Sequence, residues 1–557
     1  MKGQWRVEDA HEGEPRHVQF GGANVFRPGW KATISLRNEA EEHFRAKFKP
    51  GTYRGRDAVN DALQHHFAFY AKKLGNILPC ITSRDYLEFI LYQYDRSAEV
   101  ESLAKDGRLK EHEEEEWQRT GPTLRRALKY LAERTVLLSP EEIPKSRKRD
   151  QMLLHAEQAL LCAEQLVQLY MESDKVFFLF PDTTTVEVLP EGELEIFRTH
   201  TEDDFSSGIV LRMKRDTMNR NRFISAIPPQ VLPASQDKDL VNVFRQTIGM
   251  TLQQALGVIR AIVDHTQKPP TPMGIPFCSR EMIITEISMH SGFPRAGVEK
   301  ALDGFTVSKS GLESEGREVF KPKQEHRAYR RGFFEMPHST GPHLAWSHRM
   351  TIENAAALIT DLPLKQVPVE WKSPAVESAL GRLSNSVGRW FQTSVAKNFA
   401  ELGFVGIDSV KDTIGRGPKA VSIPPTVGEI DFLGHSPADK AVIIAECKYI
   451  RGAVEPKFYR DDLTEFVTSN NAFMQKLERK AEWLARNLPR IRDALSAATG
   501  FVIEKDTCRV FSVMVTYYPS CAAYFWKCAP CVSLAEFMLD YQYCGKWPYR
   551  LGVYEHE

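Results

Sequence analysis

Near its C-terminus the chain carries four charged residues within a strongly apolar stretch, GEIDFLGHSPADKAVIIAECK, at residues 428–448. The four are Glu429, Asp431, Glu446 and Lys448. Because Ser-Pro and Asp favour turns, the HSPADK segment is predicted to join residues 429–433 and 441–448 as a β-hairpin. Side chains two apart on a strand share a face, so a compatible register brings all four charges onto one patch.

Charges in such a place are costly unless they are paired or bind a cation. Two neighbouring carboxylates repel each other, and a divalent ion such as Mg²⁺ relieves this, since it takes one or two carboxylates together with waters and phosphate oxygens. A nearby lysine can orient or help deprotonate a water and offset charge that builds on a phosphate. The set therefore suits hydrolysis of a phosphodiester. The alternative is a salt-bridged hairpin in which Lys448 pairs with Glu446 or Asp431.

The pattern of Asp431 followed on the next strand by Glu446-Cys447-Lys448 resembles the signature of the PD-(D/E)xK, or restriction-endonuclease-like, nuclease superfamily. The resemblance covers residues 373–557. It implies a central sheet flanked by helices, with Asp431 and Glu446 as ligands of Mg²⁺ or Mn²⁺. It also implies that the backbone carbonyl of Cys447 is a further metal ligand and that Lys448 is the catalytic lysine.

One position departs from the family pattern. The family often has an acidic residue on the helix before the first strand, and the matching segment here, GRWFQ, ends in Gln392. An amide is a weaker metal ligand than a carboxylate, so a binding-only domain is an alternative. On the later helix, Gln475 and Lys476 are candidate active-site residues by the same resemblance. Their neighbours Arg479 and Lys480 are predicted to lie on a solvated basic face.

The middle of the chain predicts a helix-turn-helix. Residues 279–307 read as a helix, a turn at Ser291-Gly292 and a second helix that ends near Phe305. This resembles a winged helix, with residues 307–320 as the wing hairpin. Such modules bind either DNA or other proteins.

A basic and aromatic segment, KPKQEHRAYRRGFF, follows at residues 321–334. Cations beside rings that can stack are typical of a nucleic-acid surface. A solvated edge strand with core aromatics is an equal alternative. The predicted nucleic-acid-binding residues are Lys321, Lys323, Arg327, Arg330 and Arg331.

Bulk composition neither supports nor excludes nucleic acid as a partner, because 73 basic residues balance 73 acidic ones in 557. No apolar run approaches the roughly 20 residues that span a bilayer, and the polar N-terminus lacks a secretion signal. Nine scattered cysteines fit reduced thiols better than disulfides. A soluble, cytoplasmic protein without membrane partners is therefore expected.

The predicted fold class is multidomain α+β, with a helical N-terminal region, a winged-helix-like middle segment and a C-terminal α/β restriction-endonuclease-like domain around a central mixed sheet. Two short strands are expected, at 175–180 and 183–189, and two helices within 375–404. The predicted segments are a mostly helical region 1–174, a mixed region 175–267, a linker plus winged-helix-like segment 268–345, a connector 346–372 and the nuclease-like domain 373–557.

The expected function is that of a Mg²⁺-dependent DNA endonuclease, with RNA as an alternative substrate. A homodimer is a further expectation, because nucleases of this fold often pair to cut both strands. The N-terminal region is expected to bind a protein partner, and the architecture suits prokaryotic defence or DNA processing by analogy. The alternative is a non-catalytic nucleic-acid-binding or regulatory protein with a degenerate nuclease fold.

Overall fold

The computed structural model describes residues 16–138, 149–180, 183–197, 200–232, 238–265, 273–315, 325–452 and 456–555. The mixed α+β class is confirmed. The chain divides into two compact units. The first unit comprises residues 1–198, 238–361 and 366–379, and the second comprises 199–237, 362–365 and 380–557.

Long helices build the N-terminal part of the first unit, because apolar residues recur along them at helical spacing. They are Trp30–Arg45, Arg56–Ile81, Arg84–Lys105, Glu111–Leu138 and Arg149–Asp174. The strands form a hairpin and a three-stranded sheet, namely Arg16–Phe20 with Ala23–Arg27, and Gly51–Arg54, Thr185–Val188 and Leu194–Phe197. The strand predicted at 175–180 is wrong for Lys175–Leu179, which prolong the preceding helix as a π-turn.

The predicted helix-turn-helix pair is present in the first unit as helices Arg280–Ser291 and Arg295–Phe305. Ser279 caps the first of them, and Gly292 ends it with φ 69°, a conformation that favours glycine. The wing hairpin predicted at 307–320 is wrong where it is described, since Lys309–Glu315 form a helix. Residues 316–324 lie outside the described part.

A β-hairpin follows the helix pair later in the chain, at Phe333–Met336 and His343–Trp346. It belongs to a four-stranded sheet in the order Phe277–Ser279, His343–Trp346, Phe333–Met336 and Thr306–Val307. Its turn falls at residues 337–342, where Pro, Ser, Thr and Gly residues favour chain reversal. Three further helices accompany this sheet: Lys238–Ile248, Leu252–His265 and His348–Asp361.

A mixed sheet forms the centre of the second unit. Its strand order is Val405–Val410, Ile430–Ser436, Ala441–Lys448, Arg509–Thr516 and Cys531–Ser533, with Val553–Glu555 beside Arg509–Thr516. The first three strands are antiparallel, and the third, fourth and fifth are parallel. A separate two-stranded ribbon pairs Thr413–Ile414 with Val421–Ser422.

The helices of the second unit cover both faces of this sheet. They are His200–Asn219, Pro374–Glu401 from residue 380 onward, Pro456–Leu463, Phe473–Arg486, Leu488–Thr499, Ala522–Phe525 and Leu534–Cys544. One side is closed by Phe473–Arg486 and Leu488–Thr499, and the other by Pro374–Glu401 and Leu534–Cys544. Strands covered on both faces read as continuous apolar runs, which explains AVIIA and FSVMV.

The two helices predicted within 375–404 are one continuous helix, Pro374–Glu401. Its buried stripe of Val387, Phe391, Val395 and Phe399 keeps helical spacing without a break. This packing outweighs the roughly 1 kcal/mol that a glycine such as Gly388 costs in a helix interior.

The predicted hairpin is confirmed as strands Ile430–Ser436 and Ala441–Lys448, referred to below as the site hairpin. Its register pairs Phe432 with Ala445 and Ser436 with Ala441. The turn is held by Asp439, whose buried carboxylate accepts hydrogen bonds from Ser436 Oγ at 2.7 Å, Tyr541 OH at 2.8 Å and Trp547 N at 2.9 Å. The turn is thereby tied to helix Leu534–Cys544 and the chain after it.

Candidate active site

Asp431 and Glu446 lie side by side at the end of the site hairpin that is opposite its turn. The register that pairs Phe432 with Ala445, continued by one residue, sets the two carboxylates opposite each other on adjacent strands and on the same face. Each residue is only 5% exposed. Burial raises the pKa of the Glu446 carboxyl above its ordinary value, and the neighbouring Asp431 carboxylate adds to this rise.

Two donors fix the orientation of Asp431. The backbone N–H of Cys447 donates to Oδ2 at 2.7 Å, and Gln392 Nε2 donates to Oδ1 at 2.5 Å. Gln392 therefore reaches the carboxylate pair from helix Pro374–Glu401, where the resemblance places the missing acid. An amide can donate to Asp431, whereas a carboxylate at that position would repel it.

Lys448 ends the second strand of the site hairpin. Its Nζ lies 4.0 Å from Asp431 Oδ2 and 4.8 Å from the centroid of the Phe473 ring. The Lys448 side chain is 28% exposed. The ammonium group is thus next to the carboxylates while part of the side chain remains open to solvent, as a group that meets a phosphate requires.

Lys480 is a member of the site that the sequence analysis missed. Its Nζ donates to Glu446 Oε1 at 2.6 Å and also to the backbone carbonyl of Glu429. The residue is 6% exposed, so the prediction of a solvated position is wrong. The signal was present in the spacing, because Leu477 and Leu484 are buried and residue 480 lies between them on the same helical face.

The other residues predicted around the site have different positions. Gln475 Nε2 donates to the carbonyl of Val467 at 3.4 Å, and Lys476 Nζ lies 5.8 Å from the Phe473 ring centroid. No contact joins either side chain to Asp431 or Glu446 among the residues described. The Phe473 ring, however, is shared by Lys448 and Lys476, which brings the second lysine to the edge of the site.

Cys447 contributes its backbone rather than its thiol. The side chain packs in the apolar cluster on the opposite side of the sheet, and burial raises the thiol pKa well above its ordinary value. The nearby Asp431 and Glu446 carboxylates raise it further. A thiol in this state is a small apolar side chain, so the role of its carbonyl as a metal ligand stays a prediction from the resemblance.

The predicted nucleic-acid-binding arginines are structural. Arg327 is 5% exposed and its Nε donates to Glu133 Oε2 at 2.6 Å, while Arg331 is 1% exposed and donates to both carboxylate oxygens of Glu370. The prediction is wrong for these two, because a buried guanidinium paired within the first unit presents no charge to a phosphate. Arg330 lies 3.5 Å from Asp361 in the same unit. Lys321 and Lys323 lie outside the described residues.

The donor set fits a hard divalent cation. Within the described ranges no three His, Cys, Asp or Glu side chains converge as metal ligands. Mg²⁺ is commonly held by only one or two carboxylates, with waters and phosphate oxygens completing the shell. Asp431 and Glu446 supply two carboxylates, and Oε2 of Glu446 accepts no hydrogen bond from the part of the chain that is described.

Comparisons with known proteins give no counterpart: no protein-family model matches the chain, and no match was found among the curated proteins or the solved structures. Over the described residues, no helix has the length and apolarity that crossing a membrane would need.

Proposed function

We propose that this chain is a metal-dependent endonuclease that hydrolyses phosphodiester bonds in DNA, with RNA as an alternative substrate. The observation that carries the proposal is the buried pair of Asp431 and Glu446 with the Lys448 ammonium 4.0 Å from Asp431. The order of a helix, three antiparallel strands, several helices and a parallel strand around this pair supports the PD-(D/E)xK resemblance.

Each residue of the site has a distinct part in this proposal. Asp431 and Glu446 would hold Mg²⁺ or Mn²⁺, which when bound supplies a Lewis acid for the phosphate and lowers the pKa of a water. Lys448 offsets the negative charge that builds on the phosphate. Gln392 and the Cys447 N–H keep the Asp431 carboxylate in one orientation, so that little reorganisation is needed when the substrate arrives.

Cleavage of supercoiled plasmid tests the proposal. Wild type is expected to nick or linearise DNA with Mg²⁺ or Mn²⁺ and to stop in EDTA. Asp431→Asn and Lys448→Met should each lower the rate about 100-fold or more, because each removes a group that acts on the metal or the phosphate. Lys440→Met, which removes the same charge from the turn of the site hairpin, is the matched control and should cut normally.

A second candidate function is nucleic-acid binding without cleavage. The observation that favours it is the Gln392 amide, which occupies Asp431 Oδ1 where a carboxylate would hold metal. Gel shifts on the same samples distinguish the two. Equal DNA affinity of wild type and Asp431→Asn, without metal dependence and without cutting, supports binding alone, whereas metal-dependent cutting excludes it.

The helix-turn-helix segment is assigned to a protein partner in this proposal. Its strand order and helix pair support a winged helix, but helix Arg295–Phe305 carries balanced charges. Arg295 pairs with Glu281 and Glu299, and Lys300 donates to a backbone carbonyl. Salt-dependent DNA affinity is therefore expected to be unchanged in an Arg295→Ala, Lys300→Ala variant.

The remaining parts of the proposal are the setting and the assembly. We place the protein in a prokaryotic cytoplasm, in defence or DNA processing, and expect two copies to act together on the two strands. Sedimentation with and without a DNA duplex tests the assembly, and a strictly monomeric complex that makes double-strand breaks would overturn it.

A further inference from the structure

We infer that the site holds a single divalent ion and that Lys480 is the residue that sets this number. The inference rests on the proposed function, since it takes Asp431 and Glu446 as the metal ligands. Lys480 is a positioning residue in this account, because it acts on the metal through Glu446.

Most carboxylate oxygens of the site already accept a hydrogen bond. Asp431 Oδ1 accepts from Gln392 and Oδ2 accepts from the Cys447 N–H. Glu446 Oε1 accepts from Lys480. Of the four oxygens, only Glu446 Oε2 accepts nothing from the described residues. An oxygen that accepts one hydrogen bond keeps a second lone pair for a single ion. Two ions would need further anionic oxygens to complete their shells, and Gln392 adds none with a negative charge.

The charged side chains of the site balance one another before a metal binds. Asp431 and Glu446 carry two negative charges, and Lys448 and Lys480 carry two positive ones, so the four groups sum to zero. One divalent ion raises the sum by two, which a phosphodiester and a hydroxide together balance. A second ion would leave an excess of two positive charges in a region where Asp431, Glu446 and Lys480 are each at most 6% exposed. Unbalanced charge is expensive in such a setting.

The Lys480 ammonium is held in place by two hydrogen bonds. A buried ammonium is retained only where its donors are satisfied. Here two of its three donors are used, one by Glu446 Oε1 and one by the Glu429 carbonyl at the start of the site hairpin. Because the carbonyl is backbone, the ammonium keeps its place when a metal arrives at the other oxygen of Glu446.

The test is the number of Mn²⁺ ions bound per full-length chain, measured by titration with electron paramagnetic resonance detection of free Mn²⁺. Wild type is expected to bind one ion. Lys480→Gln removes a positive charge beside the ligand Glu446, so the first ion should bind about tenfold tighter or more, and a second, weaker ion should appear. Arg479→Gln, which removes an exposed charge from the same helix, should behave as wild type.

Two ions bound to wild type would overturn the inference, and so would no ion. Weaker Mn²⁺ binding by a folded Lys480→Gln protein would also overturn it, because a purely structural lysine predicts that direction. Should Lys480→Gln fail to fold, Lys480→Met takes its place in the titration, and the wild-type stoichiometry still tests the number of ions. One bound ion without any cleavage would support this inference and contradict the proposed nuclease function. Two bound ions with cleavage would support the nuclease function and contradict this inference.

Discussion

The contact between Gln392 and Asp431 is a hydrogen bond that a charged residue would turn into repulsion. In Gln392→Glu, two carboxylates would meet where Nε2 now lies 2.5 Å from Oδ1. We expect the free energy of unfolding in EDTA to fall by about 1–3 kcal/mol, and Mn²⁺ to restore or exceed the wild-type value. Thermal melts with and without metal measure this.

Gln392→Met is the matched control, because it loses the hydrogen bond without adding a charge. It should be destabilised in EDTA but should gain no extra stabilisation from Mn²⁺. A Gln392→Glu protein as stable as wild type in EDTA would show that residue 392 does not face Asp431.

His66, in the first unit, provides a pH-dependent test of burial. It packs against the rings of Phe44 and Tyr70, and burial lowers its pKa to about 4, with His65 and His43 contributing. In the unfolded chain the pKa of His66 is near 6.5. Between pH 4 and 6.5 this histidine therefore binds a proton more readily in the unfolded state than in the folded state. Stability must fall as the pH drops from about 6.5 toward 4, by roughly 2–3 kcal/mol from this group.

Denaturant unfolding at pH 7.5 and 4.5 measures this effect. His66→Leu fills a similar volume and cannot be protonated, so the difference in unfolding free energy between the two pH values should shrink by about that amount. An unchanged difference would mean that His66 reaches solvent in the folded protein.

At the scale of elements, the turn of the site hairpin is fixed by one buried carboxylate. Asp439→Ala would leave Ser436 Oγ, Tyr541 OH and Trp547 N without their acceptor. We expect a loss of roughly 2–4 kcal/mol in the free energy of unfolding. Asp506→Ala is the control, since it removes a carboxylate from the exposed pair with Lys440 and should leave the stability nearly unchanged.

The site hairpin could be predicted because its signals are local. Alternating positions put Asp431 and Glu446 on strands, and the HSPADK turn set their pairing, so both residues and Lys448 lie where the sequence analysis expected. The local spacing placed Lys480 on the buried face of its helix. Its contact with Glu446 could not be predicted in the same way, because that residue lies on a strand that is distant in the chain. Arg327 and Arg331 were misjudged for the same reason, since their carboxylate partners are remote in sequence.

Elements were mispredicted where tertiary packing overrode local preference. KVFFL has β-branched and aromatic residues but continues helix Arg149–Asp174. The wing was expected directly after the helix pair, yet the hairpin that pairs with Phe277–Ser279 lies at 333–346. Strand pairing between distant segments has no local signature, so the sequence indicated the elements better than their partners.

At the scale of the whole molecule, the second unit is built from three separate stretches of chain, residues 199–237, 362–365 and 380–557. Arg212 makes two hydrogen bonds to Glu536, Asn398 donates to the carbonyl of Phe223, and Tyr517 OH donates to that of Ser225. Ile224 is buried in the apolar cluster of the same unit. Residues 373–557 alone, the predicted nuclease-like domain, therefore lack part of their own core.

We expect a fragment of residues 373–557 to be destabilised by about 3–5 kcal/mol or more, because Glu536 would remain buried without Arg212. Dye binding to exposed apolar surface and circular dichroism would detect this. Co-expression with a peptide of residues 199–237 should restore the native signal, whereas the same peptide carrying Arg212→Ala should not. A fragment as stable alone as with the peptide would contradict this assembly.

The ammonium of Lys480 also determines whether the chain needs a metal ion while it folds. A chain that carries its own counter-ion beside Glu446 does not need to capture a metal during synthesis in order to bury its acidic residues. The newly made protein can therefore fold before it binds the metal ion that the proposed function requires.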